Sequence, residues 1–253
     1  MTVAFETRDS PNHDARPNHD ARPAGCDVDI LLLHYTGMQT AEAALERLCD
    51  PVAKVSCHWV VDEDGKIIRL VDEGRRAWHA GVSSWGGDTD INARSIGIEI
   101  VNPGHEFGYR DFPDAQIAAV IALCADILAR VSIPPRRVLG HSDVAPARKD
   151  DPGELFPWNR LHAAGIGHWV EPAPIVEGET LKPGDSGDRV AALQRDLAAY
   201  GYGLAPSGTF DADTAAVVTA FQRHFRPALV DGVADRSTLD TLERLLSTVS
   251  DRS

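Results

Sequence analysis

Two histidines and an aspartate stand where short apolar runs end. His34 closes the run Leu31-Leu32-Leu33, His141 follows Val138-Leu139-Gly140, and Asp151 lies between Asp150 and the turn-forming pair Pro152-Gly153. Two imidazoles and one carboxylate fill three positions of a tetrahedral zinc ion and leave the fourth for water, which is the ligand set of a catalytic site. Histidines near strand ends also serve as packed or surface residues, so spacing alone leaves both readings open. Glu99 adds to the first. In 95–101 (SIGIEIV) the period-2 rule puts Ile96, Ile98 and Ile100 on one face, and Gly97 and Glu99 on the other. A carboxylate beside a residue with no side chain suits an acid facing a ligand cavity. It equally suits a solvated Glu on a half-buried strand.

The segments around these residues alternate between strand and helix. A short apolar run at 29–35 (DILLLHY) has strand length, and 40–49 (TAEAALERLC) opens on a plausible N-cap and repeats its apolar residues at helical spacing. Two β-rich runs flank Asp64-Gly65 within 55–71, a hairpin signal. Pro113 suits the first turn of a long helix at 113–130, with Ile117, Val120, Ile121, Cys124 and Leu128 as its stripe. A short strand at 137–140 then leads into His141. This order predicts an α/β domain over 26–168, with a central mixed sheet flanked by helices.

Residues 169–180 (WVEPAPIVEGET) carry two prolines, few large apolar residues and several acids, and read as a linker that few contacts cross. Beyond it, 187–200, 211–225 and 235–246 show helical spacing, with Asp211 and Asp235 as natural N-caps. They predict a small three-helix domain over 181–249. At the other end, residues 1–25 form an arm in which NHDARP occurs in tandem, at 12–17 and 18–23. The two His and two Asp of this repeat fit either a metal-binding tract or a duplicated surface arm kept from helix by its prolines.

The chain has 253 residues and a net charge of −13. No apolar run approaches the ~20 residues of a membrane helix, and no cluster of Lys and Arg offers phosphate contacts, so membrane insertion and nucleic-acid binding are excluded. Cys26, Cys49, Cys57 and Cys124 form no CxxC pair and read as reduced structural thiols. Residues 1–25 lack the apolar core of a secretory signal, from which a cytoplasmic location is expected, with the periplasm or cell envelope as the alternative.

Taken in order, ILLLHYTG, SCHWVVDEDGKIIRLVDE, AWHAGVSSWGG, NARSIGIEIVNPG and GHSDVAPARKDDPG resemble the type-2 zinc N-acetylmuramoyl-L-alanine amidases, the AmpD/AmiD group. The resemblance covers about residues 10–165. It implies one zinc ion per chain on His34, His141 and Asp151, with Glu99 and Lys149 acting in catalysis. The reaction implied is hydrolysis of the amide joining N-acetylmuramic acid to L-alanine, in peptidoglycan or in soluble, including anhydro, muropeptides. It further implies that Arg148 meets a carboxylate of the stem peptide and that His79, in WHAG, lines the substrate groove. His58 reads as packing beneath the site or lining the groove, and His13, His19, His105, His162, His168 and His224 as non-ligands. The segments LKPGDSGDRVAALQRDLAAYGY, GTFDADTAAVVTAFQRHF and DGVADRSTLDTL resemble the peptidoglycan-binding domain of cell-wall hydrolases. Asp235 departs from that family's usual Gly. A non-catalytic murein-binding protein of the same fold is the alternative; the presence of all five catalytic positions favours the enzyme.

Overall fold

A computed structural model describes residues 3–9 and 18–250, leaving the side chains of 249 and 250 aside. The first NHDARP copy therefore lies outside the described residues. In chain order the elements are β1 (Glu6–Thr7), β2 (His19–Ala21), β3 (Ile30–Tyr35), α1 (Ala41–Cys49), β4 (Trp59–Val61), β5 (Ile67–Arg69), β6 (Arg75–Ala77), α2 (Ile91–Arg94), β7 (Ser95–Ile100), α3 (Gly104–Phe107), α4 (Asp114–Arg130), β8 (Val138–Gly140), α5 (His141–Val144), α6 (Trp158–Ala163), α7 (Asp188–Tyr200), α8 (Ala212–Phe225) and α9 (Arg236–Ser250).

The central sheet runs β1-β5-β4-β7-β3-β8. It is mixed: β4 and β5 are antiparallel, joined through the Asp64-Gly65 turn, while β4, β7, β3 and β8 run parallel. Gly65 adopts φ +88° in that turn, a left-handed conformation that favours glycine. The expected strands and helices are present, with Thr40, Asp211 and Asp235 each accepting a backbone N–H at a helix start. Alternation along the strands sorts the sheet into two faces. Leu31, Leu33, Ile96, Ile98 and Ile100 pack under α4 against Ile117, Val120, Leu123, Cys124 and Ile127. The opposite face carries Ile30 and Leu32 toward the C-terminal helices, and at its carboxyl end His34 and Glu99.

Two expectations change. The chain at 169–180 follows an irregular path but does not separate independent bodies. One apolar cluster runs from Leu32, Trp85, Leu139 and Val144 into Leu193, Phe221 and Leu245 of the C-terminal helices. Trp85 packs edge-on to Tyr202 with centroids 4.9 Å apart, and Gly86 N–H donates to Gly201 O at 2.8 Å. Gly201 (φ +144°) is glycine by necessity as well as by conformation, because a Cβ there would lie 2.5 Å from Trp85. Proline and acid content sets the local path of a connection; the number of contacts across it is set by the apolar face of the sheet, which must be covered.

The second NHDARP copy is likewise not a loose arm. It forms β2, antiparallel to β6, and its Asn18 is fully buried. Arg22 donates to the carbonyls of Glu73, Ala93 and Ser95 at 2.6–3.0 Å, pinning the start of β7. Among the described residues all four cysteines are unpaired, and no helix is long and apolar enough to cross a membrane.

Candidate active site

The site is built on strand register. In the parallel pair β3–β7, His34 lies opposite Glu99, so both side chains leave the same face at the carboxyl ends of their strands. Strand β8 adds His141 directly after Gly140. Asp151 is brought back to it by the loop that follows α5, where Ser142 N–H donates to Asp151 O at 2.9 Å.

Three ligand atoms converge. His34 Nδ1 and His141 Nδ1 are 3.0 Å apart, and they lie 3.0 and 3.1 Å from Asp151 Oδ2. Ligands at ~2.0–2.1 Å on a tetrahedral zinc would stand about 3.3 Å apart, so this triangle is close to the size of one tetrahedral face. All three residues are buried. Burial, chiefly, lowers the His34 imidazole to about 4. Burial alone would raise the Asp151 carboxyl, but the imidazoles of His141 and His34 hold it well below the usual range. Neutral imidazole and ionised carboxylate are the forms that take a metal.

Hydrogen bonds behind the triangle set the tautomers. His141 Nε2–H donates to Ala80 O at 3.0 Å, leaving Nδ1 with its lone pair forward. Ser95 spends its hydroxyl proton on Ile91 O at 2.6 Å and therefore accepts from His79 Nε2–H at 3.3 Å. His79, kept neutral mainly by burial, then accepts at Nδ1 from His34 Nε2–H at 3.1 Å. His34 Nδ1 is thereby left free for a metal, the second-layer arrangement that metal-ligating histidines usually show.

The triangle opens into a cavity of about 630 Å³ whose lining includes Tyr35, Arg47, Glu99, Arg148 and Lys149. Glu99 is 9% exposed, and its Oε2 has no hydrogen-bond partner. Burial raises its carboxyl well above the usual range, the nearby Asp151 charge adds to this, and Lys149 opposes it. A buried acid with an unspent oxygen, beside a candidate metal site, is suited to moving a proton. Lys149 lines the same cavity.

Arg148 and His79 are placed with more detail than their sequence suggested. Arg148 Nη2 donates to Ala80 O and Val82 O at 2.8 and 2.7 Å, and Nε reaches Val82 O at 3.3 Å; this guanidinium braces the loop that orients His141. His79 does line the cavity, but as a buried wall. Its ring occupies the space above Gly97, where a Cβ would come within 2.6 Å of Nδ1. The room beside Glu99 is thus filled by His79. His58 packs beneath the site: Nδ1 accepts Gly97 N–H at 2.9 Å, and Nε2–H donates to Arg75 O at 3.0 Å. Asp143, within the same GHSD motif as His141, escaped sequence reasoning. Two of its partners, Tyr202 just after α7 and His224 on α8, lie in the C-terminal part of the chain, and no local spacing announces them.

The family model described as N-acetylmuramoyl-L-alanine amidase matches residues 24–154. Against the N-acetylmuramoyl-L-alanine amidase AmiD of Escherichia coli K12 the chain is 40% identical over 231 residues, covering 87% of this chain and 82% of AmiD. The chain belongs to this amidase family. A second family model, a putative peptidoglycan binding domain, matches residues 186–242. A structure of E. coli AmiD in complex with anhydro-N-acetylmuramic acid-L-Ala-D-γ-Glu-L-Lys superposes with a TM-score of 0.75 at 38% identity, covering 89% of this chain and 92% of that one. AmpDh3 of Pseudomonas aeruginosa, in complex with an anhydromuramic pentapeptide, gives a TM-score of 0.72 at 32% identity, with 98% and 99% covered. The amidase fold, with its mixed sheet and appended helical module, is therefore shared across the length of the chain.

Proposed function

We propose that this amidase family member hydrolyses the bond between the lactyl carbonyl of N-acetylmuramic acid and the L-alanine nitrogen of muropeptides, using one zinc ion held by His34 Nδ1, His141 Nδ1 and Asp151 Oδ2. The observation that carries the reading is the triangle of ligand atoms with both imidazole tautomers fixed from behind, beside a buried Glu99 with an unspent oxygen. When bound, zinc supplies Lewis-acid chemistry, acidifying water and polarising a carbonyl. Glu99 accepts the proton of the attacking water and delivers it to the leaving alanine nitrogen. Lys149 places its ammonium where negative charge grows on the carbonyl oxygen. Ser95 and His79 hold His34 in its ligating tautomer.

Arg148 has Nη1 left to meet a stem-peptide carboxylate once its other nitrogens hold the 80–82 loop. That is a charge-assisted contact. The helices from 181 onward serve peptidoglycan binding in this reading, and the substrates include soluble anhydro-muropeptides of the kind bound by the related AmiD and AmpDh3. Digestion of a defined anhydro-muropeptide tests it by mass spectrometry. The expected products are the free sugar acid and a peptide with an unblocked L-alanine amine; cleavage at any other bond contradicts the reading.

A further inference from the structure

The segment 141–151 carries two of the three candidate ligands, yet little of it holds itself in place. Helix α5 is a single turn of four residues, too short for its own hydrogen bonds to fix its geometry. External contacts must do so: the loop at 80–84 holds His141, Val144 and Arg148, and the C-terminal part of the chain holds Asp143 and Asp150. Asp143 is fully buried and accepts three hydrogen bonds. One is local, from Gly140 N–H at 2.8 Å. The other two come from across the fold, from His224 Nδ1–H at 2.7 Å and Tyr202 O–H at 2.8 Å.

The far end of the segment is tied by the neighbouring residue of α8. Arg223 Nη2 lies 2.9 Å from Asp150 Oδ1, directly beside the ligand Asp151, and its Nε lies 3.7 Å from Glu154. Consecutive residues Arg223 and His224 thus anchor both ends of the ligand-bearing segment. Their own positions are set by packing: the His224 ring stacks on Trp158 with centroids 3.7 Å apart at 16°, and Tyr202 rests on Trp85.

A module that were merely docked would be served by the apolar cluster around Trp85. A buried carboxylate is unfavourable unless its acceptor sites are filled, and filling them from another part of the fold specifies one orientation. We propose that the C-terminal helices are a positioning component of the metal site, with Tyr202 and His224 acting through Asp143 and Arg223 acting through Asp150. The inference rests on the zinc reading above.

Two variants of the full chain test it. Tyr202→Phe keeps the ring on Trp85 and removes one donor to Asp143; Arg223→Gln releases Asp150 without touching the core. Zinc affinity is read by competition with a chromophoric chelator, and kcat and KM on a soluble anhydro-muropeptide at saturating zinc, in samples with wild-type circular dichroism. Tyr202→Phe should weaken zinc binding about tenfold or more, the scale seen for groups that orient metal ligands from behind. Arg223→Gln should weaken it less. In both, kcat should fall with KM nearly unchanged, and Arg236→Gln, in an exposed pair on α9, should alter neither quantity. Wild-type zinc affinity and kcat in either folded positioning variant would overturn the role of that residue, and in both would overturn the proposal. A wild-type chain that bound no zinc would strike the metal reading instead.

Discussion

His34 and Glu99 face each other across the parallel pair of β3 and β7. In a parallel register, opposed residues project from the same face, so one pairing delivers both a candidate metal ligand and the candidate proton carrier to one cavity. A slip of one residue would turn Glu99 toward α4, among the isoleucines. The register separates the two roles cleanly: Glu99→Gln keeps the shape and removes the base. Its activity should fall by roughly 10²–10⁴-fold while zinc content stays at the wild-type level. Near-normal turnover would assign the proton transfer to another group.

Lys149 shares the cavity with Glu99, and in the proposed mechanism its charge meets the reaction only as the carbonyl oxygen gains negative charge. Lys149→Ala should lower kcat by about 10²-fold or more, with KM changed much less and zinc retained. Zinc lost in proportion to activity would make it a structural residue.

The shared core between the sheet and the C-terminal helices has a consequence for truncation. A chain ending at 168 would expose Leu32, Trp85, Leu139 and Val144 together. It should be insoluble or melt without a cooperative transition, followed by circular dichroism. In the full chain Trp85→Ala should cost about 3–5 kcal/mol. A soluble 1–168 fragment with a sharp melt would show the core to be dispensable.

His58 gives the fold an acid limit. Burial, its largest influence, lowers the imidazole to about 3, with Arg22 adding to the effect and the bond to Arg75 O opposing it. The unfolded chain takes up this proton near 6.5, so the contribution is whole above that pH and is lost as pH falls from there toward 3. Urea unfolding of His58→Gln should show a stability slope shallower by up to about 1.4 kcal/mol per pH unit across that window. An unchanged slope would place the acid sensitivity elsewhere.

Much of this was legible in the residues. Alternation around Glu99 specified its face, caps at Thr40, Asp211 and Asp235 specified helix starts, and the motifs around His34, His141 and Asp151 specified the triangle. Long-range polar contacts were not legible. Nothing local to Asp143 points to Tyr202 or His224, 59 and 81 residues away. Nothing in the NHDARP repeat announces that Arg22 satisfies carbonyls of Glu73 and Ser95. The role of Gly97 was only half visible: its missing side chain makes room, but for the His79 ring rather than for a ligand. Linker composition misled because it reports on local conformation, whereas the contact between the two parts is decided by the apolar faces each must bury.

We propose that zinc on His34, His141 and Asp151 drives amide hydrolysis. The most direct measurement is a zinc titration of the metal-depleted full chain, reading bound metal by elemental analysis and muropeptide cleavage on the same samples. Activity should rise in proportion to zinc and level off at one ion per chain, and His34→Ala, His141→Ala and Asp151→Ala should each bind zinc far more weakly. Full activity in the metal-free chain, or unchanged zinc content in all three variants, would rule out that role for zinc.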